Sequence, residues 1–426
     1  MDRLLDPVAQ ASWLDGPRAR AYRLILLVVA GGSLLFWIAG SRDGIDRAGH
    51  PLGTDFLAFW SAARLAIAGH AADAWTLARI HAVERAAVAV DPGPSSFLYP
   101  PPFLLVCWPF GLLPYFTAWT VWVATTGAAW LLVARRWLGG ARGWALTALA
   151  FPAAAIEAAN GQNGFLTAAL LGGGLWLIDR RPWLAGALLG ALVVKPQLGL
   201  ALPVLVLAGG RWRVGLAGVA SAAALSLASL AAFGPGVWLA FRDGGALGRA
   251  ILERGLVEPE KMASAYAAVR VLGGAPGLAY GCQAAVAAIA AACLARVCRR
   301  RAAPGGVAAT TIVAGALMSP FLFDYDLVGT GFALAWLWRE GLRRGFLQWE
   351  KAALAAAFIL PLVARTLALG GGIPIAPLVL LALLAATVRA SDHRHAAVDV
   401  DRLPGDVARL AAGEIGDRGT DVLAPA

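Results

Sequence analysis

One aspartate, one lysine and two loops rich in acids and amides interrupt an otherwise apolar chain. Asp55 stands in "HPLGTDFLAFWSAARLAIAGH", residues 50–70, behind Gly53 and Thr54 and ahead of a helical pattern. Phe56, Phe59, Trp60, Ala63 and Ile67 recur at three- and four-residue spacing and make one apolar stripe. Asp55 can cap that helix, as aspartate often does. It can also act as a base, because a helix lying in a membrane interface would hold its carboxylate beside lipid-proximal hydroxyls. Position alone weighs the two readings evenly.

Lys195 sits in "WLAGALLGALVVKPQLGLALPVLVL", with apolar residues on both sides. A charge within such a run is costly and calls for a partner and a function. The alternative is that the helix ends at Pro196 and the ammonium snorkels to water. Gln197, a second polar group at the same turn, favours function. "EAANGQNG", residues 157–164, gathers Glu157, Asn160, Gln162 and Asn163. Amides donate and accept at once and suit hydroxyl-rich ligands such as sugars, although Asn and Gly also simply make turns. "SPFLFDYDL", residues 319–327, brings Asp324, Tyr325 and Asp326 as an outer turn or a group of acceptors. Arg365, late in another apolar run, is placed either to bind a lipid phosphate or to snorkel.

What must position these residues is a membrane-embedded frame. Of 426 residues 59% are hydrophobic and only 15% charged, and the mean hydropathy is +0.67. These values exclude an ordinary soluble domain. The net charge of +10 comes from arginines clustered between apolar runs, the orientation pattern of a membrane protein rather than a nucleic-acid footprint. Cys107, Cys282, Cys293 and Cys298 match no zinc, redox or disulfide spacing. The histidines include no metal-ligating pair, and His393 and His395 read as solvated. No phosphate-cradling glycine motif is present, so nucleotide-dependent chemistry has no support.

Following the arginines gives a topology. Residues 1–23 are a cytoplasmic segment, and the apolar run from Leu24 to about Gly40 reads as an uncleaved anchor rather than a cleavable leader. About twelve spans follow within 24–390, with outer loops at 41–98 and 234–275 and a disordered cytoplasmic tail at 391–426. The segment 97–113, "FLYPPPFLLVCWPFGLLP", is expected to be re-entrant, since Pro100 to Pro102 fit poorly in a lipid-facing helix. Every basic cluster then falls inside and every unusual polar motif outside, in a multi-pass protein of the plasma membrane with both termini cytoplasmic. The fold class is all-α.

"GTDFLAFWSAARLAIAG", "FLYPPPFLL", "NGQNGFL", "KPQLGLALP" and "SPFLFDYDL", in this order over about residues 24–390, resemble glycosyltransferase family 87, the polyprenol-phosphate-mannose-dependent mannosyltransferases. The resemblance implies a GT-C membrane fold and an inverting transferase with its site on the external face. It implies a polyprenyl-phosphate sugar donor and a lipid or glycan acceptor; no cofactor and no metal-ligating residue is expected, and metal dependence is not legible. Asp55 matches the catalytic aspartate of the first external loop. Lys195, Gln197, Asn160, Gln162 and Asn163 match donor or acceptor contacts, and Tyr99, Arg64, Asp324, Tyr325 and Arg365 join them. Where some relatives carry histidine after the Ser-Pro pair, this chain has Phe321, Phe323, Asp324 and Tyr325. A transporter or lipid flippase is the second reading and a scaffold without chemistry the third. The acceptor and the oligomeric state are not legible.

Overall fold

The structure is a computed structural model and describes residues 10–400 except 12, 89, 94 and 141, with the side chains of 393–400 also left aside. It is helical throughout, with isolated bridges but no strand among the described residues. In chain order the helices are α1 (Gly16–Ala39), α2 (Thr54–Ile67), α3 (Leu77–Ala87), α4 (Pro101–Cys107), α5 (Tyr115–Trp137) and α6 (Trp144–Leu149). There follow α7 (Pro152–Asn160), α8 (Gly164–Leu177), α9 (Pro182–Gly190), α10 (Leu202–Gly209), α11 (Trp212–Phe233) and α12 (Gly236–Arg254). The last are α13 (Ala265–Val271), α14 (Pro276–Arg299), α15 (Pro304–Met318), α16 (Thr330–Arg344), α17 (Glu350–Gly371) and α18 (Ala376–Val400).

Among the described residues five helices are long and apolar enough to cross a membrane: α1, α5, α11, α14 and α17. That is fewer than the expected twelve, because several apolar runs form shorter or broken helices. Only two residues separate the end of α6 from Pro152, which opens α7, and Lys195 lies between two 3-10 turns that separate α9 from α10. Irregular backbone at membrane depth is tolerated where protein, not lipid, surrounds it. These breaks are where the polar loops sit.

The helices run between two ends. Arg135 and Arg136 close α5, Arg296 and Arg299 close α14, and Arg343 and Arg344 close α16. The loops containing Asp55, Asn163, Lys195 and Asp326 lie at the other end. Small residues let α9 and α11 touch: a Cβ on Gly186 or Gly190 would strike the backbone of Val214 or Gly218. One core joins α5, α8 and α14 to α18, while a second, aromatic core surrounds α2.

The structure bears on four expectations here. The apolar stripe of α2 is covered by protein rather than turned to lipid; nine of its residues, Phe56 to Ala63 and Leu65, are buried. Leu57, Ala58 and Ala62 make its second face as apolar or small as the stripe, and a helix apolar all round belongs inside. The segment 97–113 forms the short α4 and a 3-10 turn, with Pro100 to Pro102 at the start of the helix, where proline costs nothing. The 234–275 stretch is not a plain loop but holds α12 and α13. At the termini α1 already begins at Gly16, and α18 carries helix on to Val400, into the region expected to be disordered. Residues 401–426, and the side chains of His393 and His395, lie outside the described residues.

Candidate active site

The backbone ahead of Asp55 is fixed first. Gly53 adopts a left-handed conformation, φ 71°, and serves as the N-cap of α2. The Tyr115 hydroxyl donates toward the carbonyls of Leu52 and Gly53, at 2.7 and 2.8 Å. Asp55 therefore stands inside the first turn, and its side chain makes no capping bond. The cap reading is replaced: glycine supplies the turn and leaves the carboxylate available.

The "NGQNG" loop closes against it. Gly161, φ 67°, ends α7, and a Cβ there would lie 2.6 Å from Trp119 Cδ1 and 2.8 Å from Phe56 Cβ. Gln162 is buried; its Oε1 accepts from the Tyr99 hydroxyl at 3.0 Å and from the Asn163 N–H at 3.1 Å. Its side chain also favours the charged form of the Asp55 carboxyl. Tyr99 is held by aromatic packing, with Phe59 edge-on at 5.1 Å and Phe103 at 4.6 Å.

Lys195 finds the partner its position demands. Its Nζ lies 2.6 Å from Asp326 Oδ1 and donates to Asn163 Oδ1 at 3.0 Å, with the Tyr325 ring 4.9 Å away. Both ion-pair side chains are shut off from solvent, at 2% and 0% exposure. Asp326 Oδ2 accepts from the Phe323 N–H, and Asp324 Oδ1 from the Tyr325 N–H. One buried pair thus ties the break between α9 and α10 to "NGQNG" and "SPFLFDYD". Snorkelling is overturned, and an ammonium neutralised in this way is poorly placed to meet a leaving anion.

Positive charge reaches the site from elsewhere. Residues 261–263 pair with "SPFLFDYD": the Asp324 N–H donates to Lys261 O at 3.1 Å and the Ala263 N–H to Leu322 O at 2.7 Å. Lys261 and Arg365 flank Glu258, at 2.7 and 3.7 Å, and keep 39% and 46% of their side chains exposed. Burial pushes the Asp55 carboxyl above its ordinary value; Gln162, Lys261, Lys195 and Arg365 oppose it in that order. Burial lifts Asp324 to about 6, with Asp55 and Asp326 adding to the rise and the Tyr325 N–H and Arg365 countering it.

Other expected residues sit apart. Arg64, in the last turn of α2, donates to Gly111 O at 3.2 Å and stacks over Trp60, remote from Asp55. Asn160 and Gln197 are half-buried, with no side-chain hydrogen bond among the described residues. The sequence reading did not single out Lys261, because "EPEKMA" looks like any polar loop. It named Asp326 but carried Asp324 and Tyr325 forward, although an isolated lysine in an apolar run already asked for a buried acid. Trp122 was also missed; its indole N–H donates to Gln162 O at 2.9 Å. No cluster of metal-ligating residues occurs among the described residues.

Residues 97–320, more than half of the chain, match glycosyltransferase family 87. The chain belongs to that family. It is therefore a membrane glycosyltransferase, a sugar donor and an acceptor are its partners, and the transporter and scaffold readings fall away. The matched span of this family 87 member covers Tyr99, "NGQNG", Lys195 and Lys261 and ends within "SPFLFDYD"; Asp55 and Arg365 lie outside it. Comparison with curated proteins and with solved structures gives no match.

Proposed function

We propose that this family 87 glycosyltransferase moves a sugar, mannose by its family resemblance, from a polyprenyl-phosphate donor to a hydroxyl of a lipid or glycan acceptor. The reaction inverts the anomeric centre in a GT-C-type frame, on the external face of the plasma membrane, with both termini in the cytoplasm. The observation that carries this reading is the placement of Asp55: inside the first turn of α2, free of capping duty, with Gln162 favouring its charged form.

Asp55 takes the proton of the acceptor hydroxyl as its oxygen attacks the anomeric carbon. The bond to the phosphate oxygen breaks on the opposite face, and the lipid phosphate leaves as an anion that needs no acid. Lys261 and Arg365, exposed cations held on Glu258, receive that charge. Lys195 positions rather than contacts: it holds Asn163 and Asp326 in place. Gln162, Asn163, Tyr99 and Tyr325 frame the sugar, and Asp324 sets the local charge.

Asp55→Asn is the test, with little change of shape. Incubated with a panel of polyprenyl-phosphate sugars, the folded variant loses release of lipid phosphate by at least about a hundredfold and keeps donor binding. Full transfer by the variant removes Asp55 as the base. Cleavage of no polyprenyl-phosphate sugar by the unaltered chain removes the donor assignment.

A further inference from the structure

A cavity lies far from this cluster. It has a volume of about 250 Å³ and is walled by Trp137, Trp176 and Trp336, with Arg180, Arg339 and Gly305 at its polar side. Its position follows from three helices that begin or end at the site. The 14-residue α8 starts beside Asn163 and leads to Trp176 and Arg180. The 15-residue α15 starts at Pro304, on the cavity, and ends at Met318, before "SPFLFDYD". The α16 helix carries the chain from that motif back to Trp336 and Arg339. At 1.5 Å per residue the cavity is about 20 Å from the cluster, at the arginine-rich end.

The chemistry of the cavity is that of a receptor for an anion with an apolar body. The Arg180 guanidinium lies over the Trp176 ring at 5.4 Å and makes no hydrogen bond or ion pair among the described residues. Arg339 spends one N–H on Trp137 O, at 3.0 Å, and keeps the rest of its fork. The carboxylate lining the cavity, Asp179, is engaged by Arg211 and does not cancel either cation. The amino end of α15 adds partial positive charge. Gly305 permits the approach of Trp336, whose Nε1 would lie 2.5 Å from a Cβ at that position. Indoles with one apolar and one polar edge belong at the level of lipid headgroups.

We propose that this cavity binds the phosphate headgroup of an anionic glycerophospholipid from the leaflet at the arginine-rich end. The phosphate sits between Arg180, Arg339 and the start of α15, and Trp176 and Trp336 cover the glycerol region, with the buried Trp137 as the floor. This site is separate from the transfer chemistry and stands whether or not the donor assignment does.

The test uses the purified full chain, stripped of lipid and titrated with phosphatidylglycerol or phosphatidylcholine under native mass spectrometry. One phosphatidylglycerol is expected to bind in preference to phosphatidylcholine by about fivefold, the effect of one basic contact. Arg180→Ala is expected to erase the preference and Arg180→Lys to keep most of it. Arg213→Ala, an exposed arginine on α11 at the same end, is expected to leave it intact. Equal binding of the two lipids overturns the proposal. So does an equal loss in Arg180→Ala and Arg213→Ala, which would indicate a diffuse field. Complete displacement by millimolar inorganic phosphate would assign the cavity to the free ion and also overturn it.

Discussion

The Tyr99 hydroxyl donates to Gln162 Oε1 at 3.0 Å, which leaves the amide N–H groups of Gln162 to act on Asp55, whose charged form this side chain favours. Such a donor favours the charged carboxylate. Burial raises the Asp55 pKa above its ordinary value of 3.8. A base must be ionised, so activity falls as pH drops through that raised value. Gln162→Leu removes the donor and is expected to move the acid limb of kcat/KM to higher pH. An unmoved limb in a folded variant would separate Gln162 from the base.

Asp324 acts with the opposite sign. Its own pKa is raised to about 6, chiefly by burial, and the negative charge of Asp55 contributes; the repulsion is mutual. Asp324→Asn is expected to move the acid limb to lower pH. In the unaltered protein the stability from protonated Asp324 is complete below its ordinary value of 3.8 and is lost as pH rises through about 6. The gain in Tm from Asp324→Asn should therefore be larger above that range than below it, as thermal unfolding in detergent at the two pH values would show.

The Lys195–Asp326 pair is expected to matter most when half broken. Removing one partner of a buried pair strands the other charge, at a cost of about 3–5 kcal/mol. Lys195→Met and Asp326→Leu should each lower Tm sharply, and the double variant should recover much of the loss. Recovered folding without recovered transfer would mark the pair as a positioning device, while additive losses would show that the two residues are uncoupled.

Gly161→Ala tests the seat of the "NGQNG" loop. The positive φ of 67° and the nearness of Trp119 both resist a side chain there, for a cost of about 1–3 kcal/mol. Gly210→Ala is the control, since it shares a positive φ but has open space around it. Tm should fall further for Gly161→Ala, and transfer should fall with it because Gln162 moves.

The polar breaks and the order of the apolar runs were legible because a charge or an amide stands out against leucine and alanine. The burial of α2 was also legible in Leu57, Ala58 and Ala62, had both faces been read rather than one stripe. Other features depend on contacts between residues far apart in the chain. That Gly53 rather than Asp55 caps α2 follows from Tyr115, and Lys261 reaches the site only because residues 261–263 pair with Leu322 and Asp324. Local pattern also could not set Asp326 above Asp324, which stand two residues apart. Only the depth of Lys195 makes that choice.

The Lys195–Asp326 bond also sets an order of assembly. The two residues are 131 positions apart, so the lysine is made on the order of ten seconds before its partner at ordinary rates of synthesis. Until then the α9–α10 break holds a cation without its ion-pair partner, and seating α9 at its final depth is costly. A chain arrested before Asp326 is consequently a marked object, carrying an exposed basic group where a finished molecule has none. Membrane quality control that recognises unpaired intramembrane charge would distinguish the two without any knowledge of the sugar they handle.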